Sequence, residues 1–132
     1  QKRSENKPLA IDTQILLGDS LGEMFAYYKM ADLAVIGGSF VDFGGQNLIE
    51  PIYLHKPVIL GPSIFNFKQI TEDAINAGCA IQVKNIKECF ATIDNLFINQ
   101  EEYARLVSNS STFIARYQGA SAAVLSIVKK NL

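Results

Sequence analysis

From Ile15 to Val83, short apolar runs that mostly stop at glycine alternate with longer stretches of helical spacing. The runs are Gln14-Ile15-Leu16-Leu17 before Gly18, Leu33-Ala34-Val35-Ile36 before Gly37-Gly38, and Pro57-Val58-Ile59-Leu60 before Gly61-Pro62. A fourth, Ala80-Ile81-Gln82-Val83, ends near Lys84 without a glycine. Runs of this length, rich in β-branched residues and bounded by Gly and Pro, predict strands buried on both faces. Between them, residues 22–31 set Met24, Tyr27, Tyr28 and Ala31 at helical spacing. Residues 47–54 open on an asparagine, a capping residue type, and stop before His55-Lys56-Pro57. Residues 67–77 end before Gly78, a favoured C-terminal cap. Strands alternating with helices predict a parallel sheet joined by right-handed crossovers. After Val83 the pattern is helical only, over 86–99, 101–117 and 120–131. Its apolar positions are Phe90, Ile93, Leu96 and Phe97, then Tyr103, Leu106, Val107, Phe113, Ile114 and Tyr117. The predicted organisation is therefore a loop or mobile arm over 1–12, β/α units over 13–84, and helices over 85–132.

Composition narrows the class without naming a chemistry. A chain of 132 residues, 48% hydrophobic and 19% charged, has enough apolar content for one domain with a single core. A formal net charge of −1 gives no basic surface of the kind that nucleic-acid backbones require. Lys2, Arg3 and Lys7 form a small basic opening, which reads as a solvated terminus. Cys79 and Cys89, the only cysteines, fit a reduced compartment better than a disulfide scaffold, and no histidine stands near them to suggest zinc. No apolar run approaches the roughly 18–20 residues of a membrane span. The chain begins at Gln1 with no initiator Met, and four strands make a short sheet for a nucleotide-binding α/β domain. Both features predict a partial domain whose N-terminal elements are missing.

In open α/β sheets, ligands bind outside the carboxyl ends of the strands. Three of the four predicted strands deliver glycine-containing loops to that edge, where a missing Cβ lets backbone approach a ligand. The densest segment is Gly44-Gly45-Gln46-Asn47-Leu48-Ile49-Glu50-Pro51. Backbone N–H groups at a helix start favour an anion such as phosphate. Glu50 lies one turn from Asn47 on the same side, placed to accept hydrogen bonds from sugar hydroxyls. The same spacing equally describes a capping box, with Asn47 as N-cap and Glu50 as its partner. Ser20 and Glu23 repeat that ambiguity: they form either a capping box or part of a nucleoside-holding turn with Leu21 and Gly22. His55, the only histidine, reads as a complement to a helix C-terminus. Tyr27, Tyr28, Phe65 and Phe67 read as core. No Walker motif, nucleophile elbow, H-E-x-x-H or G-x-G-x-x-G is present.

These same segments carry a family resemblance. Gly18-Asp19-Ser20-Leu21-Gly22-Glu23-Met24 resembles the GDTMGEM segment of Kdo (3-deoxy-D-manno-oct-2-ulosonic acid) transferases, and Ala31-Asp32-Leu33-Ala34 with Gly37-Gly38-Ser39 resembles their ADLAFVGGS. The segment from Gly44 to Pro51 resembles GGHNPLEP, Gly61-Pro62 with Asn66-Phe67 resembles GPHTFNF, and Gly119-Ala120 falls where the family has a late Gly-Ala. The departures are Ser20 for Thr, Leu21 for Met, Gln46 for His and Leu48 for Pro. At position 46 an amide can hydrogen-bond but cannot supply a histidine's proton or charge.

The resemblance implies a Rossmann-like parallel sheet with flanking helices, forming part of the C-terminal domain of a GT-B glycosyltransferase. It implies an inverting, metal-independent enzyme without cofactor that moves Kdo from CMP-Kdo to a lipid A precursor in lipopolysaccharide synthesis. Such enzymes work at the cytoplasmic face of the bacterial inner membrane. Carried over by motif, Leu21, Gly22, Glu23, Asn47, Leu48, Ile49 and Glu50 contact CMP, and Gly38, Ser39 and Gly45 line the same pocket. The catalytic base and the acceptor site belong to the N-terminal half, so no residue here is assigned a catalytic role. The alternatives are a UDP-sugar-using GT-B transferase or epimerase domain, and a non-catalytic nucleotide-binding module.

Overall fold

The computed structural model describes residues 1–117; the helix expected over 120–131 and the Gly119-Ala120 pair lie outside them. Among the described residues three strands form one sheet: β1 (Ala34–Ile36), β2 (Val58–Leu60) and β3 (Ala80–Gln82). They run parallel in the order β1-β2-β3, with Ala34 opposite Val58 and Val58 opposite Ala80. The helices are α1 (Met24–Met30), α2 (Ile49–Tyr53), α3 (Lys68–Asn76), α4 (Ile86–Ile98) and α5 (Gln100–Tyr117). Three-residue or four-residue 3-10 turns at Arg3–Glu5, Gly37–Phe40 and Phe65–Phe67 complete the chain order.

β2 is the strand that reads as predicted, buried on both faces. Successive side chains of a strand point to opposite faces, and here each face has its own cover. Val58 and Leu60 join Leu48 and Ile52 around α2, Ala74 of α3 and Phe113 of α5. Ile59 joins Cys89 and Leu96 of α4 and Leu106 of α5. Full burial of such side chains stabilises by about 1.5–3 kcal/mol each, and all three residues of β2 are at most 2% exposed.

The predicted first strand, residues 14–17, does not form. Leu17 makes an isolated parallel bridge with Lys2, and the segment joins no sheet. A strand needs a neighbour for its backbone and cover for its side chains, whereas Ile15 and Leu17 are 78% and 52% exposed. Nor are residues 1–6 a free arm. Gln1 and Arg3 hydrogen-bond to Leu17, through the Leu17 N–H to the Gln1 carbonyl at 2.9 Å and the Arg3 N–H to the Leu17 carbonyl at 2.8 Å.

Two helix ends explain the route between layers. At α3, the Gly78 N–H reaches the Ile75 carbonyl and the Cys79 N–H the Ala74 carbonyl, with Gly78 at φ +72°. That is a Schellman ending, and it turns the chain directly into β3. α2 ends the same way, His55 N–H to Ile52 and Lys56 N–H to Pro51, but with His55 at φ +57°. His55 thus closes α2 through its backbone, and its ring lies 3.3 Å from the Ser111 hydroxyl.

Candidate functional site

The carboxyl ends of the three strands are laced together by one buried serine and its neighbours. β1 runs into the 3-10 turn Gly37–Phe40, which carries Ser39 into the interior with no exposed surface. Its hydroxyl donates to the Ile36 carbonyl and accepts the Gly61 N–H at 2.6 Å, tying the end of β1 to the end of β2. The Ser63 N–H reaches the Ser39 carbonyl at 3.0 Å, and Gln82 at the end of β3 donates to the Gly61 carbonyl at 3.2 Å. A Cβ at Gly61 would stand 2.6 Å from the Ser39 carbonyl oxygen, so only glycine fits.

The next loop is built on the same frame. Gly44 and Gly45 adopt φ of +74° and +77°, which L-residues rarely do. The Gly44 N–H donates to the Ser63 hydroxyl at 3.0 Å, and the Asn66 side chain donates to the Phe43 carbonyl at 2.7 Å. Ser39, Phe40, Asp42, Ser63, Phe65 and Lys68 line a hollow of about 540 Å³ between these loops.

α2 follows directly, starting at Ile49 with Leu48 as its N-cap residue, not at Asn47. The capping box expected from Asn47 and Glu50 is not made. Asn47 instead accepts the Ile49 N–H at 3.0 Å and donates to the Glu50 carboxylate at 3.3 Å. Among the described residues Glu50 has no cationic partner, leaving acceptor capacity on a half-buried carboxylate. It lies near Tyr28, whose phenol is pushed above its ordinary pKa by burial and then by the Glu50 charge. With five residues, α2 has little dipole to offer an anion, so any phosphate contact here rests on individual N–H groups.

Glu23 is placed differently. It is the N-cap residue of α1, and its side chain makes no cap. One carboxylate oxygen takes the Arg3 guanidinium at 2.8 Å; the other takes the Ser20 hydroxyl and the Tyr27 hydroxyl. The Ser20 hydrogen bond, with Arg3 behind it, holds the Glu23 carboxyl below the usual range. Arg3, read from sequence as part of a solvated terminus, is therefore a structural partner. Glu23 lines a second hollow of about 470 Å³ with Lys2, Arg3, Asn6, Tyr27 and Met30. Asn47 and Glu50 line neither hollow.

The residues expected to form one pocket thus fall into two groups. Gly38, Ser39, Gly45, Asn47, Leu48, Ile49 and Glu50 follow one another from the end of β1 into α2. Leu21, Gly22 and Glu23 sit before α1, joined to the first group through the packing of α1 on α2, where the Phe25 and Tyr53 rings lie 6.1 Å apart. Side-chain access differs sharply among them. Leu21 is fully exposed and Ile49 45% exposed, whereas Leu48 is buried and offers a ligand only its backbone. Ser63, Asn66 and Gln82 shape the edge through contacts 19 to 24 residues away in sequence, which no periodicity reveals. Cys79 and Cys89 are buried free thiols, and burial pushes Cys79 up to about 11. No helix among the described residues is long and apolar enough to cross a membrane.

The family model of group 1 glycosyl transferases matches residues 1–113. The chain is 53% identical over 73 residues to the 3-deoxy-D-manno-octulosonic acid transferase of Bordetella pertussis, covering 55% of this chain and 17% of that protein. Against the enzyme of the same name from Haemophilus influenzae it is 30% identical over 132 residues, covering 99% of this chain and 31% of that protein. The chain thus spans less than a third of the length of these relatives. Among solved structures it is similar to the C-terminal CMP-Kdo binding domain of WaaA from Acinetobacter baumannii. That match has a TM-score of 0.82 and 26% identity, covering 86% of this chain and 60% of that one.

Proposed function

Because the chain belongs to the group 1 glycosyl transferases, we propose that it is the CMP-Kdo-binding part of a 3-deoxy-D-manno-octulosonic acid transferase. The observation that carries this reading is the likeness to a solved domain whose own description is CMP-Kdo binding, over 86% of the chain. The sequence relatives bear the matching transferase name.

The donor lies along the carboxyl edge of β1 and β2, where α/β sheets take ligands. The positive-φ turn at Gly44-Gly45 brings backbone close, Asn47 and Glu50 offer an amide and an unneutralised carboxylate, and Leu21-Gly22 offer exposed backbone. A carboxylate of this kind suits ribose hydroxyls or the cytosine amino group, and N–H groups suit the phosphate. The donor is held without metal or cofactor. The lipid A precursor, the catalytic base and the membrane surface engage parts of the longer enzyme outside this chain, at the cytoplasmic face of the inner membrane.

Calorimetric titration with CMP and with UMP tests the reading. CMP is expected to bind more tightly, with no Kdo transfer to a lipid A precursor by the chain alone. Equal binding of UMP would point to a UDP-sugar enzyme, and transfer by these 132 residues would sink the division of labour. Loss of CMP affinity on Glu50→Gln at unchanged stability separates a ligand contact from a helix-capping role.

A further inference from the structure

The loop from Gly18 to Glu23 is fixed at its stem and open at its tip. At one end, the Ser4 backbone N–H and hydroxyl meet the two oxygens of Asp19 at 2.8 and 2.7 Å. At the other, Arg3 forks, one nitrogen to Glu23 at 2.8 Å and the other to the Asn6 amide oxygen at 2.6 Å. Gly18 packs so tightly on Tyr27 that a Cβ there would meet the ring at 2.8 Å. The tip is the reverse. Gly22, at φ +81°, has nothing within 4 Å of its Cβ position, and Leu21 is fully exposed.

Glu23 has little left to give a ligand. An ionised carboxylate offers about four acceptor positions, and Arg3, Ser20 and Tyr27 use three of them in this structure. The chemistry left for a ligand at this turn is the backbone of Leu21 and Gly22, whose position is set by the two carboxylates flanking them.

We propose that Arg3 and Ser4 are positioning residues of the donor site, holding the Leu21-Gly22 backbone in place through Glu23 and Asp19 without touching the ligand themselves. The inference rests on the donor-binding reading above. Glu23 then acts inward, as the anchor of the turn, and not as a nucleotide contact. Arg3 is suited to this because its planar fork reaches two acceptors at once, which a lysine cannot reproduce.

The test is CMP affinity in the full chain, with amide resonances of Leu21 and Gly22 as a second readout. Arg3→Met and Ser4→Ala are each expected to weaken CMP binding about tenfold, to shift those two amides, and to leave resonances of β2 in place. Ser4→Thr, which keeps the hydroxyl, restores both readouts. Arg3→Lys restores the charge but not the fork, and recovers only part of the affinity. The double substitution Arg3→Met with Glu23→Gln costs no more than the larger single one, because both act through one contact. Should Arg3→Met fail to fold, the Ser4 pair decides alone. Unchanged affinity and unchanged Gly22 resonance in Ser4→Ala and any folded Arg3→Met would overturn the inference while leaving the donor reading intact. No CMP binding by the unsubstituted chain would remove the donor reading, and the inference with it.

Discussion

At Gly61 the chain leaves β2 and passes within contact of the backbone of Ser39. An added Cβ would lie 2.6 Å from the Ser39 carbonyl oxygen and 2.9 Å from its carbon, both backbone atoms that cannot swing aside. Gly61→Ala is therefore expected to destabilise the fold by about 1–3 kcal/mol. Urea unfolding reads this as a lower midpoint at unchanged slope; an unchanged midpoint would mean that the two strand ends separate cheaply. Gly37 and Gly38 carry no such constraint, since a Cβ at Gly37 meets nothing and at Gly38 only the Gln46 side chain at 3.5 Å. The glycine-rich edge was legible in the sequence, but which glycine the packing demands was not. Ser39 shows the reason: its hydroxyl bonds to residues 3 and 22 positions away, and only the second contact makes it a clasp between strands.

Helices and strands were readable where their apolar periodicity agreed with a layer that covers them. β1, β2 and β3 fall inside the predicted runs because each has a hydrogen-bonded neighbour and at least one covered face. The run Gln14–Leu17 has the same composition but only the Lys2 bridge beside it, so composition alone did not make a strand. The two capping-box spacings failed for a related reason. Each helix starts later than its first polar residue, and the paired side chains bond to one another in place of the reciprocal cap, with Asn47 also accepting the Ile49 N–H. The C-terminal ends were more legible, because Gly78 announces a left-handed cap. α2 uses the same ending with His55 at φ +57°, a conformation that costs an L-residue roughly 1–2 kcal/mol. His55→Gly is accordingly expected to be neutral or to stabilise by up to about 1 kcal/mol, after the loss of chain entropy is offset. A clear fall in melting temperature would show that the ring's contact with Ser111 matters more than the backbone strain.

The molecule divides into two parts held by different forces. Among the described residues the buried ones all lie between Ala34 and Phe113, in the sheet, its loops and its helical layers, whereas residues 1–33 bury none. That first part is tied to itself by backbone bonds and by Asp19 and Glu23, with Ser4, Arg3, Ser20 and Tyr27 as their partners and Lys2 adding its charge near Asp19. Both carboxyls sit below their ordinary values, chiefly through hydrogen bonds from Ser4 and from Ser20. A depressed folded-state pKa contributes stability above the unfolded value, and that contribution is lost as pH falls through the folded one. The ties should thus persist at neutral and mildly acidic pH and weaken only below roughly pH 4. Apolar burial around Ile59 and Leu96 does not titrate, so the sheet should outlast them. An NMR pH titration is expected to show Ser4, Leu17 and Gly22 moving together below that point while Ile59 and Leu60 keep their shifts. High salt should blunt the Arg3 contribution, since that pair is exposed to solvent. If the two sets of resonances moved as one, these polar contacts would be coupled to the sheet through the packing of α1 on α2 and of Leu33 on the cluster around Ile59. The turn that presents Leu21 and Gly22 would then draw its position from the core, and not from the carboxylates on either side of it.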